Sequence, residues 1–96
     1  MAYFVYVIAT TRDSKLTTYV GYTNNLKNRL NLHNTGRGAK FTRGRHWRII
    51  YFEKYATKNE AKSREYYIKK IFLQFMLELY LYLLKIQQKS ADLKKI

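Results

Sequence analysis

Hydrophobic residues recur along the chain at two spacings. Tyr3 to Ala9 is dominated by β-branched and aromatic residues, the composition of a strand. Arg12-Asp13-Ser14-Lys15 follows as a polar turn, and Thr17 to Tyr22 repeats the strand pattern. The two segments predict a hairpin. Thr23 or Asn24 is placed to cap a helix running to about Asn34, stopped by Gly36. Residues 35 to 47 hold three of the four glycines and read as a loop. Arg48 to Lys54 reads as a third strand, and Thr57 with Glu60 makes a capping box for a second helix. Proline is absent and nothing breaks a helix from there to Lys95, yet one helix that long is out of proportion to so short a chain, so a turn or kink is expected after Lys70. The order ββαβα plus a C-terminal helix predicts an α+β fold, with a three-stranded antiparallel sheet flanked by helices.

Three polar residues fall at apolar positions. In the first helix Leu26 and Leu30 define the buried stripe, and Arg29 and His33 share it because positions 26, 29, 30 and 33 fall on one face. The alternative is that Arg29 snorkels to water and His33 caps the helix end. In the second helix Ala61, Ile68 and Phe72 form the stripe and Glu65 sits inside it. A carboxylate there needs a cation or a metal to offset its desolvation; an ion pair with Lys62, Arg64 or Lys69 would also serve. If Asp13 and Ser14 centre the hairpin turn, Tyr6 lies opposite Gly21 and Ile8 opposite Tyr19. Tyr6 and Tyr19 then project from the same face, with open space beside Gly21.

Charge narrows the partner. Nineteen Lys and Arg face six Asp and Glu, for a net charge of +13. Such an imbalance points to a polyanion, with nucleic acid first and an anionic membrane second. Arg37, Lys40, Arg43 and Arg45 stand in the glycine-bearing loop with Phe41, His46 and Trp47 among them, a pattern suited to phosphate contacts and base stacking. Trp47 is expected to be mostly structural. Residues 71 to 84 are apolar apart from Gln74 and Glu78, and are shorter than the roughly 20 residues that span a bilayer; no membrane partner is expected. A helix apolar nearly all round needs cover on more than one side, so this segment is expected to pack on the core and to form a homodimer interface. Cysteine is absent, which removes thiolate chemistry and fits a reducing, cytoplasmic compartment. The N-terminus runs directly into the first strand, without the pattern of a cleaved leader.

Together these residues resemble the GIY-YIG nuclease superfamily, in particular its small stand-alone members and the N-terminal nuclease domain of the repair endonuclease UvrC. The first motif stands as Phe4-Val5-Tyr6, keeping the tyrosine and losing the glycine, and the second as Tyr19-Val20-Gly21. Arg29 and His33 match the helical arginine and the residue one turn on. Gly36-Arg37-Gly38-Ala39-Lys40-Phe41-Thr42 resembles the loop of the stand-alone group, and Glu65 matches the metal-binding glutamate. The resemblance implies a GIY-YIG-like core over residues 1–72 with a helical tail over 73–96. It implies a DNA endonuclease that uses Mg²⁺ or Mn²⁺ held by Glu65, with a structure-directed or weakly sequence-specific role in repair, recombination or processing. Tyr6 would take the proton from water, with a neighbouring positive charge lowering its pKa. His33 would share that proton, Tyr19 would orient the water, and Arg29 would bind the phosphate. Gly21, Arg37, Lys40, Arg43 and Arg45 would contact DNA. The alternative is a nucleic-acid-binding module with a decayed active site.

Overall fold

The computed structural model describes residues 1–94. Its elements follow the order β1 (Tyr3–Arg12), β2 (Lys15–Thr23), α1 (Leu26–Asn34), β3 (Arg48–Tyr55) and α2 (Lys58–Lys94). The sheet has the order β2-β1-β3, with β1 antiparallel to both neighbours. The hairpin register places Tyr6 opposite Gly21 and Ile8 opposite Tyr19. It is set by a two-residue turn in which Asp13 and Ser14 take left-handed φ values of 52° and 64°, a geometry whose twist matches the flanking strands.

The central strand divides the core by its alternation. Val5 and Val7 face Val20, Ala61 and Ile68, beneath α2. Tyr6 and Ile8 face the other way, against Trp47, with Tyr19, Leu26, Leu30 and Ile49 packed around them. Trp47 is buried and its indole N–H donates to the Thr42 carbonyl at 2.8 Å. Its own backbone N–H and C=O are both bonded by the Asn34 amide, which ties the loop to the end of α1.

Helix α1 is capped one or two residues later than expected. Asn25 is the cap and its side chain accepts from the Asn28 N–H at 3.0 Å, while Thr23 accepts from the Asn25 N–H. At the other end Gly36 has φ 77°, and the N–H groups of Gly36 and Arg37 bond back to His33 and Leu32. This is a glycine-closed helix terminus.

Helix α2 corrects two expectations. No turn follows Lys70 among the described residues; the helix runs unbroken from Lys58 to Lys94, 37 residues. No glycine or proline occurs after Gly44, so nothing in the chain interrupts the ladder. Nor do the described side chains of the tail beyond Phe72 pack on the core clusters. The sheet is too short to follow a helix about 55 Å long, and among the described residues Phe72 is the last of α2 packed against the core. Leu73, Phe75, Leu77 and Tyr80 are exposed. The capping box does form: the Glu60 N–H donates to Thr57, whose hydroxyl donates to the Glu60 carboxylate. Further along, Arg64 makes a two-pronged bond to Glu53 of β3 at 2.7 and 3.0 Å. The Arg64 fork, aided by the Tyr51 and Tyr55 hydroxyls, holds the Glu53 carboxyl at about 2.

Candidate active site

A cavity of about 380 Å³ opens along the β2 edge, lined by Tyr6, Tyr19, Gly21, Arg29, Lys58 and Glu65 together with Tyr3, Tyr22, Thr23 and Asn24. The two strands supply the tyrosines, α1 supplies Arg29 and the first turns of α2 supply Lys58 and Glu65. Gly21 makes the convergence possible. A β-carbon at that position would lie 2.5 Å from the Tyr6 hydroxyl oxygen, closer than any such contact can be. The space that Gly21 leaves is therefore occupied by the Tyr6 phenol itself.

Behind Tyr6 sits His33, buried at 1% exposure. The Tyr6 hydroxyl and His33 Nε2 are 2.8 Å apart, and His33 Nδ1 is 2.8 Å from the Thr42 hydroxyl. Thr42 donates its own proton to the Ala39 carbonyl at 3.0 Å, so it accepts from Nδ1–H. That assigns the tautomer: Nδ1 carries the proton and Nε2 accepts from Tyr6. The line is Tyr6 O–H to His33 Nε2, then His33 Nδ1–H to Thr42. Gly38 clears the way, since a β-carbon there would collide with the imidazole. The glycine-bearing loop is thus in part the cradle of His33. Gly36 closes its helix, Gly38 makes room for its ring and Thr42 fixes its tautomer.

Burial sets the protonation states. Desolvation pushes the Tyr6 phenol well above its ordinary 10, and the nearby Tyr19 and Glu65 push in the same direction against Arg29. The positive charge of Arg29 does act to lower the Tyr6 pKa, as expected, but burial outweighs it and Tyr6 is held as a phenol. Desolvation, and secondarily Arg29, lowers His33 below 6.5, so it stays neutral near pH 7. Folding inherits this. Below pH 6.5 the unfolded chain takes up a proton that folded His33 resists, so the stability contributed by neutral His33 is present above that pH and is lost as pH falls toward the folded value. Lowering the pH from about 7.5 to 5.5 should depress Tm in the wild-type chain, and less steeply in His33→Gln. Equal slopes would contradict the buried neutral imidazole.

Glu65 is where the sequence puts it, in the stripe of α2, with its side chain 18% exposed and 2.6 Å from Lys69. The ion pair considered as an alternative is thus formed, through one carboxylate oxygen, at the wall of the cavity. The donor chemistry fits a hard divalent cation, because one carboxylate beside an open, oxygen-lined cavity leaves room for the waters Mg²⁺ retains. Among the described residues no cluster of three or more His, Cys, Asp or Glu could hold a metal. The basic loop lies outside the cavity, with Arg37, Lys40 and Arg43 exposed. Sequence reading missed Thr42 as the anchor of His33, Asn34 as the brace of Trp47, and Lys58 as a second cation beside Arg29.

The family model for the GIY-YIG catalytic domain matches residues 2–77. The chain belongs to the GIY-YIG family. Its relatives include the UPF0213 protein of Clostridium perfringens, 51% identical over 71% of each chain. The UPF0213 protein of Oceanobacillus iheyensis is 47% identical over 72% of this chain and 78% of its own. The UPF0213 protein YazA of Bacillus subtilis is 43% identical over 72% of this chain and 68% of its own. Their names state no activity. The solution structure of the UPF0213 protein of Bacillus halodurans is similar at 32% identity over 82% of this chain and 85% of that one, with a TM-score of 0.42. Family membership supports a nuclease. In this GIY-YIG chain Tyr19-Val20-Gly21 lies on β2 and Tyr6 lies on β1, in the paired register that brings them together. No helix among the described residues is long and apolar enough to cross a membrane.

Proposed function

We propose that this GIY-YIG chain is a metal-dependent DNA endonuclease, hydrolysing phosphodiester bonds with weak or structure-directed specificity in repair, recombination or DNA processing. The observation that carries the reading is one cavity holding Arg29, Glu65, Tyr19 and a Tyr6 hydroxyl hydrogen-bonded to a neutral histidine. A scissile phosphate seated there presents a non-bridging oxygen to Arg29, whose fork stabilises the charge that develops on it. Tyr19 orients the attacking water. Tyr6 accepts the water's proton as it passes its own to His33 Nε2, so no free phenolate is needed and the base is an imidazole kept neutral by burial. Thr42 and the Ala39 carbonyl receive the growing positive charge on His33 at Nδ1–H. Glu65, released from Lys69, would hold the divalent metal, and the metal would supply Lewis-acid charge for the reaction. Arg37, Lys40, Arg43 and Arg45 bind the flanking backbone. The test is a panel of duplex, nicked, flap and four-way-junction DNA with Mg²⁺ or Mn²⁺. Cleavage of at least one member with either metal is expected, and no cleavage of any member would overturn the reading.

The Glu65–Lys69 pair favours one alternative, a DNA-binding module whose carboxylate is permanently neutralised. Under that reading Lys69→Ala changes nothing. Under the nuclease reading it lowers the metal concentration needed for half-maximal cleavage.

The tail of α2 fits self-association. Eleven large hydrophobics from Ile71 to Ile86 are 40–74% exposed, and monomers rarely present contiguous apolar patches beyond a few hundred Å². Two chains of charge +13 repel everywhere except along this stretch, where residues 71 to 84 carry one charge, Glu78. A second copy of the chain, related by a two-fold axis, is the occupant that matches an apolar face carrying a single charge. Light scattering at micromolar concentration should give a dimer mass; a clean 11.6 kDa monomer would rule it out.

A further inference from the structure

A second cavity, distinct from the one that holds Glu65, lies at the far end of the sheet. It is lined by Thr10, Thr11 and Arg12 of β1, by Arg45 and His46 of the loop and by Arg48 at the start of β3, with a volume of about 520 Å³. Its origin is a mismatch in strand length. On one side β1 pairs with β2 as far as Arg12 opposite Lys15, whereas on the other its pairing with β3 ends at Ala9 opposite Arg48. Residues 10 to 12 therefore run past β3 and leave a notch with an open strand edge. Gly44, at φ 74°, turns the loop at this point.

Three arginines and a histidine line this notch with no acid among its lining residues. The salt bridges among the described residues are Arg64–Glu53 and Lys69–Glu65, both elsewhere. Arg45 lies over the Phe41 ring at 5.5 Å, and Phe41 in turn stacks on Tyr19 of the first cavity at 6.2 Å between centroids. Two ring contacts thus connect the notch to the candidate active site, a separation on the order of a few nucleotides at ~3.4 Å of rise each.

We propose that this notch is a second phosphate site, holding a backbone phosphodiester of the nucleic acid a few nucleotides from the bond to be cut. The proposal rests on the DNA reading above and assigns Arg12, His46 and Arg48 to substrate binding. Guanidinium forks bind phosphate oxygens in pairs, and unpaired strand-edge N–H groups can add neutral donors. Two such fixed points would set the direction in which a strand crosses the cavity.

The test is the salt dependence of duplex binding, measured by fluorescence anisotropy without divalent metal. Arg12→Ala with Arg48→Ala should weaken binding and lower the slope of log affinity against log salt by about 2, since each phosphate that an arginine neutralises adds near 0.9 to it. Lys54→Ala with Lys62→Ala removes the same charge away from the notch and should change the slope much less. Equal slopes in the two doubles would overturn the notch and leave DNA binding intact. A second arm follows backbone amide resonances with inorganic phosphate alone. Shifts confined to Thr10–Arg12 and Arg45–Arg48 accompanied by duplex binding support the proposal. The same shifts in a chain that binds no duplex would mark a free-phosphate site, overturning both the phosphodiester assignment and the nuclease reading.

Discussion

Arg29→Ala is expected to slow cleavage by about 10³-fold or more, with DNA affinity little changed. The expectation follows from where Arg29 stands. It lines the cavity together with Tyr6, Tyr19 and Glu65, and its charge is felt at both Tyr6 and His33. It is one of nineteen cations, so its removal costs little of the long-range attraction to DNA. The charge it stabilises appears only as the phosphorus is attacked, so its loss falls on the rate and not on binding. Arg29→Lys should recover little, because an ammonium cannot reproduce the planar fork. Because Arg29 also opposes protonation of His33, the acid limb of the pH–rate profile should move toward higher pH in Arg29→Ala. A lysine variant with full activity would contradict the bidentate role, and an unmoved acid limb would contradict the proximity to His33.

Glu65→Ala is expected to remove cleavage to the limit of detection, a loss of at least about 10³-fold if the metal supplies several kcal/mol. Binding to DNA without metal should be equal or tighter than in the wild-type chain, since an anion beside a phosphate site has been removed. The change should be tolerated by the fold: Glu65 bonds only to Lys69 among the described residues, and Ala61 and Ile68, not Glu65, fill the core beneath α2. A Glu65→Ala chain that cuts at near the wild-type rate would remove the metal from Glu65. A chain that loses DNA binding together with cleavage would mean that Glu65 organises the surface rather than the reaction.

The hairpin and its register are legible in the sequence because the turn is short and both strands carry clear β patterning; Tyr6 opposite Gly21 needs only Asp13 and Ser14 at the turn. Arg29, His33 and Glu65 are legible as polar residues on apolar stripes. The cap of α1 is not, since Thr23, Asn24 and Asn25 are all competent caps and the geometry of the chain leaving β2 selects the last. The run of α2 escapes sequence reading because chain length argues against a long helix, while the local sequence, without glycine or proline, allows it. The acid–base state of Tyr6 is beyond reach: the sequence shows the arginine that would lower its pKa but not the burial that raises it further. Thr42, nine residues from His33, and the meeting of Arg12 and Arg48 at one notch depend on tertiary contacts that no local pattern encodes.

The most direct measurement is nicking of supercoiled plasmid by the purified chain with Mg²⁺, with the metal chelated, and with Glu65→Ala in Mg²⁺. The account predicts conversion to the open-circular form in the first condition and none in the other two, while all three retain the DNA. Retained DNA with no nicking by the wild-type chain in either Mg²⁺ or Mn²⁺ would contradict it and leave a binding module with the architecture of a nuclease.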